Sequence, residues 1–230
     1  MALKKETLVL KLSGSLFFSE DFARTAGAIR EALVKSSDLR VVLVAGGGKK
    51  AREYIQVASE SGADQATLDE IGIMVSRVNG LVLASALGEF SESKVPETLR
   101  ELVDSLRQGT RAVVMGGLHP GQSTNAVGAL VSEKVKAKRF INATDVNGVY
   151  TKDPRKFKDA KPIDRITPRR LAKVIGGESM RAGGYDLMDP VALKLLERSK
   201  IDTWIVKCEP EMIESALLGK RVGGTEIVYS

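Results

Sequence analysis

The junction that most constrains this chain is an apolar, β-branched run, Arg40 to Val44, that passes through Ala45 into Gly46-Gly47-Gly48. Lys49-Lys50-Ala51-Arg52 then opens a stretch with helical spacing and no breaker before Gly62. A buried strand that turns through glycines into a helix is the repeating unit of an α/β protein. The junction also offers chemistry. Glycine carries no Cβ, so a ligand can approach the backbone, and the first N–H groups of a helix have no partner within it. An anion suits that place. The same glycines would equally serve a tight turn and a close helix–strand crossing, and both readings stand at this point. The Walker spacing, which ends in Gly-Lys-Ser/Thr, is absent, and so are the alternating glycines of the dinucleotide fingerprint.

The rest of the chain repeats the theme. Strands are predicted at Thr7 to Leu12, Arg40 to Val44, Arg111 to Met115, Phe140 to Ala143, Thr203 to Lys207 and Glu226 to Tyr229. Helices are predicted at Asp21 to Lys35, Lys49 to Ala58, Leu68 to Leu87, Pro96 to Leu106 with its proline near the first turn, and from about Asn125. Three more follow at Leu171 to Ile175, Pro190 to Ser199 and Glu211 to Leu218, while Pro154, Pro162 and Pro168 punctuate a turn-rich region with room for a hairpin. Alternating strands and helices imply a central, mostly parallel sheet covered on both faces, an α/β three-layer sandwich. At 230 residues one domain accounts for the whole chain, 1–230. Ligands of such sheets collect beyond the carboxyl ends of the strands. Four polar or glycine-rich loops can converge there: Ser13 to Ser15, Gly46 to Gly48, Gly116 to Thr124 and Thr144 to Asp153.

Composition narrows the partners. The formal charge of +6 favours anions in general. Basic residues are nevertheless interspersed with acids, aromatics make up only 5%, and no basic segment is interleaved with stacking rings, so nucleic acid is not expected. Lys134 to Arg139, the densest basic patch, reads as a solvated helix end. No run approaches the roughly 20 uninterrupted apolar residues of a membrane span, and Met1 to Glu6 lacks a signal-peptide core, which makes a cytoplasmic protein without membrane contact the expectation. Cys208 is the single cysteine and reads as a packing residue, with neither a disulfide nor a metal site expected.

Lys11-Leu12-Ser13-Gly14-Ser15 places a lysine inside an apolar strand, where it needs an anionic partner, just before a small-residue turn. With the triple glycine it suggests a cation and two sets of amides around a transferring phosphoryl group. To these add Gly116-Gly117 leading to Pro120-Gly121 and Ser123-Thr124, and the string Asn142-Ala143-Thr144-Asp145-Val146-Asn147-Gly148-Val149-Tyr150-Thr151-Lys152-Asp153-Pro154. Over nearly its whole length, and in the same order, the chain resembles the amino acid kinase superfamily. Within it, the chain is similar to the archaeal-type uridine monophosphate (UMP) kinases.

The resemblance implies transfer of the γ-phosphoryl group of ATP to UMP, giving UDP and ADP, with Mg²⁺ as cofactor. It assigns Lys11 and Asp145 to catalysis, Asp145 organising the lysine. It assigns ATP to Lys11, Leu12, Ser13, Gly14, Ser15, Gly48, Arg52, Thr144, Tyr150 and Asp153. It assigns UMP to Gly47, Arg52, Asp69 and the loop Leu118, His119, Pro120, Gly121, Gln122, Ser123 and Thr124. It further implies an acceptor lobe in the N-terminal half, an ATP lobe from about residue 140, and a homohexamer built from dimers with the helix Asp21 to Lys35 in the dimer contact.

Plain readings compete for several of these residues. Asp69 could be a solvated helix residue, Tyr150 a core aromatic, Asp153 the start of an Asp-Pro turn, and Ser123 or Thr124 a helix cap. Asn147 replaces an aspartate frequent in relatives, and Asp189 stands where some members carry a second lysine; its role stays open. His119 is the single histidine. Isopentenyl phosphate kinases of the same fold carry a histidine near the triple glycine, and none lies between Lys11 and Arg52, which weakens that acceptor as the alternative. A non-catalytic nucleotide or oxyanion binder of the same fold is the third reading.

Overall fold

Strand β1 (Glu6–Leu12) shows how the layers form. Its side chains alternate: Leu8, Leu10 and Leu12 pack into one apolar cluster and Val9 into another, so both faces of the strand are covered. The same split divides β2 (Leu39–Ala45) and β3 (Ala112–Met115). The computed structural model describes residues 6–176, 187–221 and 223–229. The remaining strands are β4 (Arg139–Thr144), β5 (Val149–Tyr150), β6 (Pro162–Ile163), β7 (Arg165–Ile166), β8 (Thr203–Lys207) and β9 (Thr225–Ile227).

Seven of these strands form one sheet in the order β3-β2-β1-β4-β8-β9-β7. All neighbours are parallel except β8 and β9. The predicted hairpin is β5 with β6, a separate antiparallel pair. One face is covered by α1 (Phe22–Lys35), α3 (Gln65–Leu87) and α8 (Pro210–Leu217). The other carries α4 (Leu99–Gln108), α5 (Thr124–Val135), α6 (Pro168–Gly176) and α7 (Pro190–Ser199). Helix α2 (Gly48–Glu60) packs on α3. The expected α/β sandwich with a mostly parallel sheet is therefore the observed one.

Differences from the predicted elements have local causes. Pro96 lies outside α4, which begins at Leu99 because the Thr98 hydroxyl caps the Glu101 N–H at 3.1 Å. The final strand ends at Ile227, and the Tyr229 hydroxyl turns to donate to the Ile201 carbonyl at 2.7 Å. Two-residue β7 is too short to show a period. Helix α3 is, among the described residues, the one helix long and apolar enough to cross a membrane by length and composition. It reaches that length with Arg77 and Asn79 inside it, so it is no uninterrupted apolar run, and its inner face is core: Leu83, Ala84 and Leu87 are buried against the sheet.

Candidate active site

From β1 the chain crosses to β2 and β3 on one side, then returns to add β4 and β8 on the other. Connections leaving β1 and β4 therefore part, and a crevice opens beyond their carboxyl ends. A cleft of about 460 Å³ lies there. Its walls bring together Lys11, Ser13, Gly14, Ser15, the three glycines, Arg52, Thr144 and Asp145, residues drawn from three distant parts of the sequence.

Lys11 is buried on the α5 face of β1, opposite Asn142 of β4 in the strand register. Its Cβ runs past Gly128 of α5, where an added Cβ would sit 3.6 Å away. The Asn142 amide donates to the Leu187 carbonyl at 2.8 Å, tying the β4 strand to the start of α7 behind the lysine.

The glycines have a steric reason that the sequence left open. A Cβ on Gly14 would lie 2.1 Å from the Gly48 nitrogen, and Gly48 itself has φ +67°. The β1 and β2 turns thus touch backbone to backbone. Among the described residues no side chain caps α2, whose N-cap position is Gly47, and its N-terminus opens on the cleft. Tight crossing and anion cradle are one arrangement here.

Asp145 follows β4. Its Oδ1 accepts the Ser13 and Ser15 hydroxyls at 2.7 and 2.6 Å. Burial pushes its carboxyl up, but these two hydrogen bonds, with the charges of Lys11 and Arg155, hold it below the usual aspartate value. Its carboxylate thus takes the hydroxyls of the serine turn, and the charge of Lys11, which the family resemblance pairs with it, also acts on it.

On the other side, α3 ties two glycine turns together. The Asn79 amide donates to the carbonyls of Gly46 at 2.8 Å and Gly47 at 3.4 Å. The Ser76 hydroxyl accepts the Gly117 N–H at 2.7 Å, and Arg77 donates to the carbonyls of Gly117 and Leu118. Asp69 is exposed, and its Oδ2 accepts the Gly121 N–H at 2.7 Å, so it holds the 118–124 loop by the backbone. Ser123, not Thr124, is the α5 cap, and its hydroxyl also donates to Asp189, which caps α7 through Val191 and Ala192. These contacts give Asp189 a structural place joining two loops.

Several predicted site residues stand outside the walls of the cleft. Leu12 is fully buried in the α1 face of the sheet, since its side chain alternates away from Lys11. Leu118 is buried, the tip His119, Pro120 and Gly121 is exposed, and Gln122 is half-buried; of this loop only Thr124 reaches the cleft. Tyr150 lies in β5. Asp153 has no exposed side-chain surface, and both its oxygens accept from the Arg155 guanidinium at 3.0 Å. Arg155 itself lines the cleft. Cys208 packs beside the core, and burial pushes its thiol up to about 12, which removes it as a nucleophile.

Arg155, Ser76, Arg77 and Asn79 were missed. The polar positions interrupting the apolar α3 were the available signal for three of them; Arg155 had only its place after an Asp-Pro turn.

A crossover sheet with a lysine, a serine turn and a glycine turn around one cleft, where Lys11, Arg52 and Arg155 outnumber Asp145, defines an α/β protein built to hold phosphate groups. The chain belongs to the amino acid kinase family, which matches residues 6–207. A uridylate kinase of Sulfolobus acidocaldarius is 38% identical over 225 residues, 96% of this chain and 98% of that protein. One of Sulfurisphaera tokodaii is 40% identical over 220 residues, 94% and 96% of the two chains. The crystal structure of uridylate kinase from Archaeoglobus fulgidus superposes with a TM-score of 0.83 at 38% identity, covering 96% of this chain and 99% of that one.

Proposed function

We propose that this chain is a UMP kinase, transferring the γ-phosphoryl group of ATP to UMP by in-line displacement without a covalent intermediate. The observation that carries the acceptor is the end-to-end similarity to archaeal uridylate kinases, at 38 to 40% identity. The cleft suits the chemistry: catalysis of phosphoryl transfer is mostly positioning and charge stabilisation, and the attacking phosphate oxygen is already anionic. In this reading Lys11 contacts the transferring group and the amides of Ser13 to Ser15 surround the ATP phosphates. Arg52 holds the UMP phosphate with its planar fork. The N-terminal half forms the acceptor lobe, and the chain from about residue 140 forms the ATP lobe.

Magnesium is carried by the nucleotide. Asp145 is the one carboxylate lining the cleft among the described residues, and they contain no cluster of three acidic, histidine or cysteine side chains. One carboxylate with phosphate oxygens and water is an ordinary Mg²⁺ environment, so the residues fit, and the ion would neutralise charge on the donor phosphates.

We place the protein in the cytoplasm as a homohexamer built from dimers. Exposed apolar side chains concentrate on α2 and α3, namely Tyr54, Val57, Met74, Val78, Leu81 and Val82, whereas α1 exposes Val34 alone of this kind. That favours the α2–α3 face over α1 for the dimer contact.

A coupled ADP-release assay over UMP, CMP, dUMP and isopentenyl phosphate tests the function. UMP is expected to give the highest kcat/KM, and turnover of isopentenyl phosphate with none on UMP would overturn the reading.

A further inference from the structure

Arg77 is the one basic residue of α3, and every other side chain from Ile71 to Leu87 is uncharged. We propose that Arg77 is a positioning residue for the acceptor: its guanidinium fixes the start of the 118–124 loop, and through that loop it sets the affinity for the nucleoside monophosphate. The proposal rests on the reading of this loop as part of the acceptor site.

Three observations converge. First, the Arg77 side chain is only 24% exposed, and a charge so placed needs partners. Its Nε donates to the Gly117 carbonyl at 3.2 Å, and Nη2, on the same edge of the fork, to the Leu118 carbonyl at 3.4 Å. A planar fork on two successive carbonyls fixes both peptides at once, which a point charge does not. Second, Nη1 pairs with Glu97 at 2.7 Å, and the Glu97 N–H donates to Glu101 of α4 at 2.8 Å. The guanidinium is thereby aimed from its far side. Third, the turn after β3 has no slack. A Cβ on Gly116 would lie 2.6 Å from the Arg77 nitrogen, and one on Gly117 2.9 Å from Ile73 Cγ1, so the turn presses on α3 at this residue.

The loop carries the effect to the acceptor. It runs from β3 to the Ser123 cap of α5, and its other ties to α3 hold N–H groups, Gly117 on Ser76 and Gly121 on Asp69. Arg77 holds the carbonyls. Gly117 and Leu118 are buried, and a buried carbonyl without a partner is costly, so without the guanidinium these peptides must turn outward to reach water. That movement is passed along the loop to Thr124, the residue by which it reaches the cleft. The serine turn of β1 is held by other means, through its hydroxyls on Asp145. Loss of Arg77 therefore falls on one substrate and spares the other.

The test uses the full chain with Arg77→Met, Arg77→Lys and Glu97→Gln. Initial rates are measured with UMP and ATP varied separately, and amide hydrogen exchange is followed without ligand. Arg77→Met keeps the apolar stem and removes the fork, so the KM for UMP should rise about tenfold while the KM for ATP stays within about twofold of the parent. Exchange at the Gly117 and Gly121 amides should quicken, with that of Gly46 unchanged. Arg77→Lys, one ammonium for two carbonyls, should recover part of the loss. Glu97→Gln leaves the fork but loosens its aim, and should raise the KM for UMP by less than Arg77→Met does. A KM for UMP within about twofold of the parent in Arg77→Met would overturn the proposal. So would equal rises in both KM values, the mark of a general structural tether. Should Arg77→Met fail to fold, the same split in Arg77→Lys and Glu97→Gln decides it. If the acceptor panel finds another monophosphate in place of UMP, the UMP reading falls, and the split measured with that acceptor still decides this one.

Discussion

The two walls of the cleft are held by different means. On the β2 side, Gly46 to Gly48 press against Gly14 with no room for a Cβ, and the turn is pinned through its carbonyls by Asn79 of α3. On the β4 side, the order comes from charge: Asp145 takes two serine hydroxyls, and Asp153 takes an arginine. Close packing is intolerant of volume and indifferent to pH; ion pairs tolerate volume and depend on protonation. The contrast suits the proposed roles, with a rigid cradle on one side and oriented charges on the other.

The largest effect is expected from Gly14→Ala. An added Cβ would lie 2.1 Å from the Gly48 nitrogen, and backbone on both sides must move. The variant should lose nearly all activity and unfold at lower temperature; a stable, active Gly14→Ala would mean that the glycine wall is not close-packed. Next comes Lys11→Met, which should lower kcat by about a hundredfold or more while leaving UMP binding within a few-fold, read by single-turnover rates and calorimetry. A variant keeping most of its turnover would remove the lysine from the chemistry.

Asn79→Ala should cost about 1–3 kcal/mol of stability, because the buried Gly46 carbonyl loses its partner. Urea unfolding measures this, and an unchanged midpoint would show that α3 does not hold the cradle. The smallest effect separates the walls by pH. Pairing with Arg155, aided by its backbone N–H and opposed by burial, holds the Asp153 carboxyl below its ordinary value of 3.8. A depressed folded value gives stability that is complete above 3.8 and lost as pH falls through the lower, folded value. The stability gap between the parent and Asp153→Asn should therefore be constant across neutral pH and narrow only in acid, whereas the Asn79→Ala gap should keep no such dependence. A gap that closes near neutrality would contradict the pairing.

Residues whose chemistry conflicts with their local pattern were legible from sequence. Lys11 is a cation in an apolar strand, Gly46 to Gly48 interrupt a strand-to-helix junction, and Asp145 follows a strand end; all three line the cleft. The element order was also legible, because strands buried on both faces and amphipathic helices differ in period. Asp69 and Asp153 belong to a different kind. Both were assigned by the family resemblance, and in the fold Asp69 accepts the Gly121 N–H, 52 residues on, while Asp153 accepts from the Arg155 guanidinium two residues on. The partner of Asp69 depends on where the 118–124 loop lands, which spacing along the chain does not encode.

The amino-acid sequence alone determines an alternation of strands and helices, and with it a mostly parallel sheet having glycine turns at its carboxyl ends, since periodicity and the absence of Cβ atoms are local properties. Only the folded chain decides that β1 lies between β2 and β4, that α3 fastens two glycine turns separated by the length of a domain half, and that Asp153 faces inward while Arg155 faces the cleft. Those facts depend on which distant segments become neighbours, and burial assigns each polar group its partner only after that choice is made.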